Sequence, residues 1–185
     1  MNTLFIDKKI KYIGSQLAPH WIYKNFKLQG DSIVAFIGEV DVKLDEMVDI
    51  EDVINNEPIY SKSMLNFIIE RFDINLFSMV ALQRLFISII KEVLEQYKVN
   101  VKRQGDDLFY QNRKLSVSIA TKSITSCLIH TGLNIIKEDA PINASDLSEM
   151  GIADIKEFAN IIMKKYSDEI QSIKQATYKV RGVIE

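Results

Sequence analysis

Two strand patterns, set one after the other near the middle of the chain, constrain its fold more than any other feature. Leu115, Val117 and Ile119 alternate with Ser116, Ser118 and Ala120. Side chains on a strand point alternately to opposite faces, so one face is apolar and the other small and hydroxylic. Residues 124–136 follow with C-L-I-H-T-G-L-N-I, a second apolar run that reads as a strand. Small residues on a strand face let a helix or a ligand approach closely. Ahead of the pair, Arg103 and the acids Asp106 and Asp107 flank Gly105, and Lys114 opens the alternating strand. His130 and Asn134 are polar positions on the second strand. Charged and polar groups thus gather at the ends of adjacent strands, where a ligand with anionic and polar parts could be held.

The elements around this pair alternate between the two periods. Residues 31–42 are rich in β-formers and read as a strand, with Gly38 as a bulge or bend. Residues 16–26 read as a short helix whose start suits Pro19. The stretch 63–72 fits a helix or a strand, and the continuous Phe67-Ile68-Ile69 suits a buried strand better. Residues 78–97 form the clearest helix: Met79, Leu82, Phe86, Ile89, Val93 and Tyr97 recur at steps of three and four, with Ser78 as N-cap. Val99, Val101 and Arg103 share one face of a strand leading to Gly105, and residues 110–113 form a hairpin turn. At the C-terminal end Ile155, Phe158, Ile162, Tyr166, Ile170 and Ile173 mark another helix. The expected fold is α+β, a mostly antiparallel sheet with flanking helices.

Composition bounds the class. At 185 residues the chain suits one domain, residues 1–185, with a substantial core. A net charge of -2 gives no basic field for nucleic acid, so no nucleic-acid partner is expected. No run reaches the length of a transmembrane helix, and the N-terminus meets charge too soon for a secretory leader. Three prolines and seven glycines leave no linker. The single cysteine, Cys127, lies in an apolar run and reads as a buried, reduced thiol of a cytoplasmic protein.

The segment from Ser78 to Ile136 resembles the core of the biotin and lipoate protein ligase family. Biotin ligases carry K-W-P-N-D on a strand after a long helix, then K-[LI]-x-G-[IL]-L, then a strand ending near G-[IL]-G-[LI]-N. Here Arg103-Gln104-Gly105-Asp106-Asp107 stands in the first place, Lys114 follows at the family's spacing, and Ile129-His130-Thr131-Gly132-Leu133-Asn134-Ile135 resembles the last motif. The resemblance implies that Lys114 binds an acyl-adenylate, its ammonium stabilising phosphate and carboxylate charge. The family's glycine- and arginine-rich phosphate loops are not found between residues 30 and 60, so efficient biotinylation or lipoylation of a carrier domain is not expected. The octanoyltransferase branch uses a cysteine downstream of the second strand, and residues 140–145 contain none. Over the whole chain, P-H-W-I-Y-K-N-F, G-D-S-I-V-A-F-I-G and R-K-L-S-V-S-I-A-T resemble a prokaryotic family of uncharacterised proteins that shares the ligase fold and has no established activity.

The candidate catalytic residues are therefore Lys114, His130 and His20, and the candidate ligand contacts Arg103, Asp106, Asp107, Ser116, Ser118, Asn134 and Trp21. Each has a plainer reading. Lys114 can be a surface lysine at a turn, Arg103 and the acids a structural ion pair, and each histidine a satisfied core or anchoring residue. Two histidines and one cysteine far apart give no zinc site. The acids between Asp41 and Asp52 are either a solvated face or a site for Mg2+ bridging a nucleotide such as ATP. The function classes left open are an acyl- or adenylate-transfer enzyme acting on a small carboxylate, and a non-catalytic module that binds a nucleotide or acylated metabolite.

Overall fold

The computed structural model describes residues 1–136 and 143–183. In chain order they form β1 (Asn2–Ile6), α1 (Trp21–Phe26), β2 (Ser32–Val42), a 3-10 turn (Leu44–Glu46), α2 (Ile50–Asn55), β3 (Ile59–Arg71), α3 (Leu76–Gln96), β4 (Lys102–Gln104), β5 (Asp107–Tyr110), β6 (Arg113–Lys114), β7 (Ser116–Lys122), β8 (Cys127–Ile136) and α4 (Ile155–Tyr178). The main sheet runs β1-β2-β3-β8-β7, antiparallel except where β1 lies parallel to β2. A second small sheet, β4-β5-β6, sits beside it. Among the described residues no helix is long and apolar enough to cross a membrane.

Register decides what each face meets. Ile33, Ala35, Leu65, Phe67, Ile69, Ile129 and Leu133 face the α3 and α4 layer and form the larger core with Phe86, Phe158 and Tyr166. The neighbouring residues in sequence, Val34, Phe36, Met64 and Ile68, face the other way and form a second core with Tyr12 and Ile22. Among the described residues the N-terminal segment and α1 cover much of that second face, with Met47 packed beside them. The face's share over β3, β8 and β7 stays open, and there the candidate site lies.

The long helix buries a wider stripe than the predicted one, because Gln83, Ile87, Ile90 and Leu94 are buried as well. Its cap is Asn75 rather than Ser78: the Asn75 side chain accepts from the Ser78 backbone N–H at 2.8 Å. The capping residue sits three positions before the expected one, because helical conformation begins at Leu76, ahead of the first periodic apolar residue. The N-terminal helix is also shorter than predicted, starting after Pro19 and His20 rather than at Gln16. The hairpin turn between β5 and β6 is sharp. Gln111 and Asn112 both take positive φ, 50° and 62°, as a two-residue type I′ turn requires.

Gly38 is the bend in β2. The β2–β3 register shifts between Gly38 and Val40, and a Cβ on Gly38 would stand 1.7 Å from the Ile10 carbonyl oxygen. The missing side chain lets residues 10–12 lie against β2, where Ile10 N–H donates to the Ile37 carbonyl and Tyr12 bridges Val40. That seating carries the Tyr12 ring over the open face.

Candidate functional site

A cavity of about 550 Å³ opens on this face. Its floor is the apolar side of β7 and β8 with β3: Val117, opposite Gly132, Ile119, opposite His130, and Met64. A Cβ on Gly132 would come within 3.2 Å of Met64 and Val117, so glycine keeps these side chains packed as one surface. Leu17, Val42, Met47 and Ile59 add apolar wall.

One cation reaches the cavity from the described residues that line it. Lys114 ends β6, paired with Phe109 of β5, and its backbone is also bonded to the segment 143–145: its N–H donates to the Asn143 carbonyl, and its carbonyl accepts from the Ser145 N–H. The Lys114 Nζ pairs with Asp107 Oδ1 at 3.0 Å, both side chains about one-third exposed. Such a pair contributes only about 0–1 kcal/mol, so the ammonium can be shared with a ligand at little cost. Asp106 is engaged elsewhere: Arg84 Nη1 reaches its Oδ1 at 2.5 Å and Gln83 Nε2 its Oδ2 at 2.9 Å. Burial raises the Asp106 carboxyl above the usual range, with Arg84 opposing that rise.

The deep wall is an aromatic pair. His130 and Tyr12 stack with ring centroids 3.8 Å apart and planes 10° from parallel. His130 Nε2 lies 3.0 Å from Asn66 Oδ1, while the Asn66 amide group donates to the Met64 carbonyl. With Asn66 fixed that way, Nε2 carries the proton and Nδ1 presents a lone pair. Burial holds the imidazole neutral, its pKa pushed down to about 3. Burial likewise raises the Tyr12 phenol, and its hydroxyl meets no partner among the described residues. Asn134 lines the cavity with its side chain spent: it accepts from Ser61 and donates to the Ser145 carbonyl.

The outer wall is the stretch from the 3-10 turn through α2, which brings Glu46, Asp49, Glu51, Asp52 and Glu57 to the cavity. Asp49 caps α2 by accepting from Glu51 N–H. Burial, then the nearby Asp49, raises the Asp52 carboxyl, and Lys114 lies close enough to oppose the shift. The stretch is not one acidic helix face. Asp41 belongs to β2 and pairs with Lys11 at 2.8 Å, and the rest divides between the 3-10 turn and α2. Among the described residues no group of three or more His, Cys, Asp or Glu could hold a metal ion.

Lys114, His130, Asp106, Asp107, Ser116, Ser118 and Asn134 line this one cavity. The hydroxyls of the two serines, however, serve the fold. Ser116 Oγ accepts from the Leu108 N–H, and Ser118 Oγ meets Thr131 Oγ1 at 2.9 Å and Gln83 at 3.0 Å, on the α3 side of the sheet. Val117 and Ile119, on the alternate face of β7, supply the apolar lining. Three predicted residues lie elsewhere. Arg103 donates to the Gly105 carbonyl in the exposed β4 turn. His20, at φ 61°, donates its N–H to Glu70 and stacks on Phe72. Trp21 packs on Phe26 and Phe36. Tyr12 was missed; the one sequence signal for it is the glycine of β2 that seats its segment. Of the cysteine-free residues 140–145, positions 140–142 lie outside the described residues.

A family model described as a domain of unknown function, DUF366, matches residues 1–181. The uncharacterized protein MJ0805 of Methanocaldococcus jannaschii is 36% identical over 190 residues, covering 100% of this chain and 86% of its own length. A protein of unknown function from Pyrococcus horikoshi superposes with a TM-score of 0.93 at 38% identity, covering 99% of each chain. The biotin protein ligase of Aquifex aeolicus, solved with biotin and ATP, superposes with a TM-score of 0.64 at 14% identity, over 94% of this chain and 72% of that one. At that identity the likeness is one of fold.

Proposed function

We propose that this chain, which belongs to the DUF366 family of unknown function and has the biotin protein ligase fold, binds a small amphipathic metabolite in the cavity beside Lys114. The observation that carries the reading is Lys114 itself, a backbone-clamped cation at the mouth of a cavity with an apolar floor. The volume of about 550 Å³ is in the range that small ligands occupy. An anionic group on the ligand, a carboxylate or an acyl-phosphate, meets Lys114, and its apolar body lies along Val117, Ile119 and Met64.

Binding without catalysis is the better-supported form of this reading. An imidazole held neutral to about pH 3 is a poor proton carrier near neutrality, and Asp106 is already committed to Arg84 and Gln83. The glycine- and arginine-rich phosphate loops of the ligases are not found between residues 30 and 60. One observation favours the enzymatic reading, acyl or adenylate transfer on a small carboxylate: Lys114 and Asp107 stand together at a ligand-sized cavity. Pyrophosphate release from ATP and Mg2+ with a panel of carboxylic acids separates the two.

The test of binding is calorimetry on a panel of carboxylic acids and acyl-adenylates. For any that binds, Lys114→Ala is expected to weaken affinity by about 1.5–3 kcal/mol, the range for a hydrogen bond to a charged group. Unchanged affinity in a folded variant removes Lys114 from the site.

A further inference from the structure

The cavity is mismatched to a purely anionic ligand. Lys114 already has Asp107 as its counter-ion. In the same cavity, the carboxylates of Glu46, Glu51, Asp52 and Glu57 meet no hydrogen-bond or ion-pair partner among the described residues. Asp52 is the half-buried member, and its carboxyl is raised first by desolvation and then by the Asp49 charge. A bare polyphosphate or a second carboxylate brought against this wall would add like charge.

The deep wall, which is independent of those acids, adds a ring nitrogen that calls for a donor and a hydroxyl that can serve as donor or acceptor. Tyr12 and His130 are 3% and 4% exposed and both line the cavity. The Tyr12 hydroxyl is unpartnered among the described residues, and the His130 ring, bonded through Nε2 to Asn66, leaves Nδ1 as a free acceptor. Acceptors therefore outnumber donors around the space. No trio of these groups converges as metal ligands among the described residues. A dispersed set of carboxylates with an aromatic pair behind suits an organic ammonium, which needs several acceptors at hydrogen-bond distance rather than a tight coordination shell.

We infer that the natural ligand is an amine-bearing carboxylate, its anionic end at Lys114 and its ammonium at the Asp52 and Glu57 wall. This deepens the small-metabolite reading of the same cavity and rests on it. The apolar floor of the same cavity fits an aliphatic spacer, so the chemical class is an ω-amino acid or a molecule containing that unit.

The experiment uses the full chain and a matched series of probes: ω-amino acids of four to eight carbons, the alkanoates of the same length, and the corresponding alkylamines, titrated by calorimetry at pH 7 and low salt. At least one ω-amino acid is expected to bind tenfold or more tightly than its alkanoate. An Asp52→Asn/Glu57→Gln variant, checked for folding by its thermal melt, should reduce that preference to less than threefold. Alkanoates that bind as well as or better than ω-amino acids overturn this inference and leave the metabolite reading standing. A preference that survives in the double variant also overturns it, because the ammonium would then be read elsewhere. Failure of every probe, together with no binder in the wider panel of acids and acyl-adenylates, sinks the metabolite reading as well.

Discussion

The acid stability of this protein should depend on His130. Its folded pKa of about 3 stands against an ordinary value of 6.5, and burial is the cause. The sign follows from linkage: a histidine whose folded pKa is depressed leaves the unfolded chain with more bound protons, so stability falls as pH drops below 6.5 and goes on falling toward 3. At 1.36 kcal/mol per unit, the full effect approaches about 5 kcal/mol, of which about 2 kcal/mol is already lost between pH 7 and pH 5. Carboxylates contribute to acid unfolding too, so the measurement must be a difference between two proteins.

His130→Gln supplies it, because the amide keeps an N–H for Asn66 and removes the titration. Urea unfolding of both proteins at pH 7 and pH 5 gives four free energies by linear extrapolation. The wild type is expected to lose about 2 kcal/mol more than the variant over that interval, whatever the two stabilities are at pH 7. Equal losses would show that His130 titrates near 6.5 in the fold. The imidazole would then be open to water, and its exclusion as a proton carrier would fall with the argument from burial.

Two further substitutions test how the site is positioned. Gly38→Ala places a Cβ 1.7 Å from a backbone oxygen and should cost about 3 kcal/mol or more in urea unfolding; a cost under about 1 kcal/mol would mean that residues 10–12 do not rest on β2. Asn75→Ala should lower stability by about 1 kcal/mol through loss of the α3 cap, whereas Ser78→Ala should change it little, and the reverse order would restore Ser78 as the cap.

Much of the fold was legible because local pattern and tertiary environment agree. The alternation at 115–120 and the apolar run after it are β7 and β8, paired from Ser116–Leu133 to Lys122–Cys127. The continuous Phe67-Ile68-Ile69 is a strand covered on both faces, which is why it shows no alternation: Phe67 and Ile69 meet the helices, and Ile68 the second core. The ends of elements were less legible. Asn75 is a better cap than Ser78 only if the helix begins before its apolar stripe does, and that beginning is fixed by the β3–α3 connection rather than by periodicity.

The lining of the cavity was legible in part, for Lys114, His130, Asp106, Asp107 and Asn134, but the orientation of the strand faces was not. Alternation shows that Ser116 and Ser118 share a face opposite Val117 and Ile119, yet nothing in β7 alone says which face meets α3. The answer lies in pairing. Ile119 stands opposite His130 and Val117 opposite Gly132, whereas Ser118 stands opposite Thr131. The hydroxyls thus fall in line with Gln83 of α3 and are consumed as internal hydrogen bonds, which a buried polar group requires. The same logic separates the two histidines. His130 shares parity with Gly132 and Asn134 and must face the cavity if they do. His20 takes a left-handed backbone at the start of α1, so its position is set by a turn and by Glu70, a partner 50 residues away. The acids between 43 and 58 were visible as charge, but not as a wall, because only the return of the chain from β2 to β3 decides what they overhang. Whether that wall draws an ammonium is consequently a question about charge placement, which a shared fold leaves free to differ.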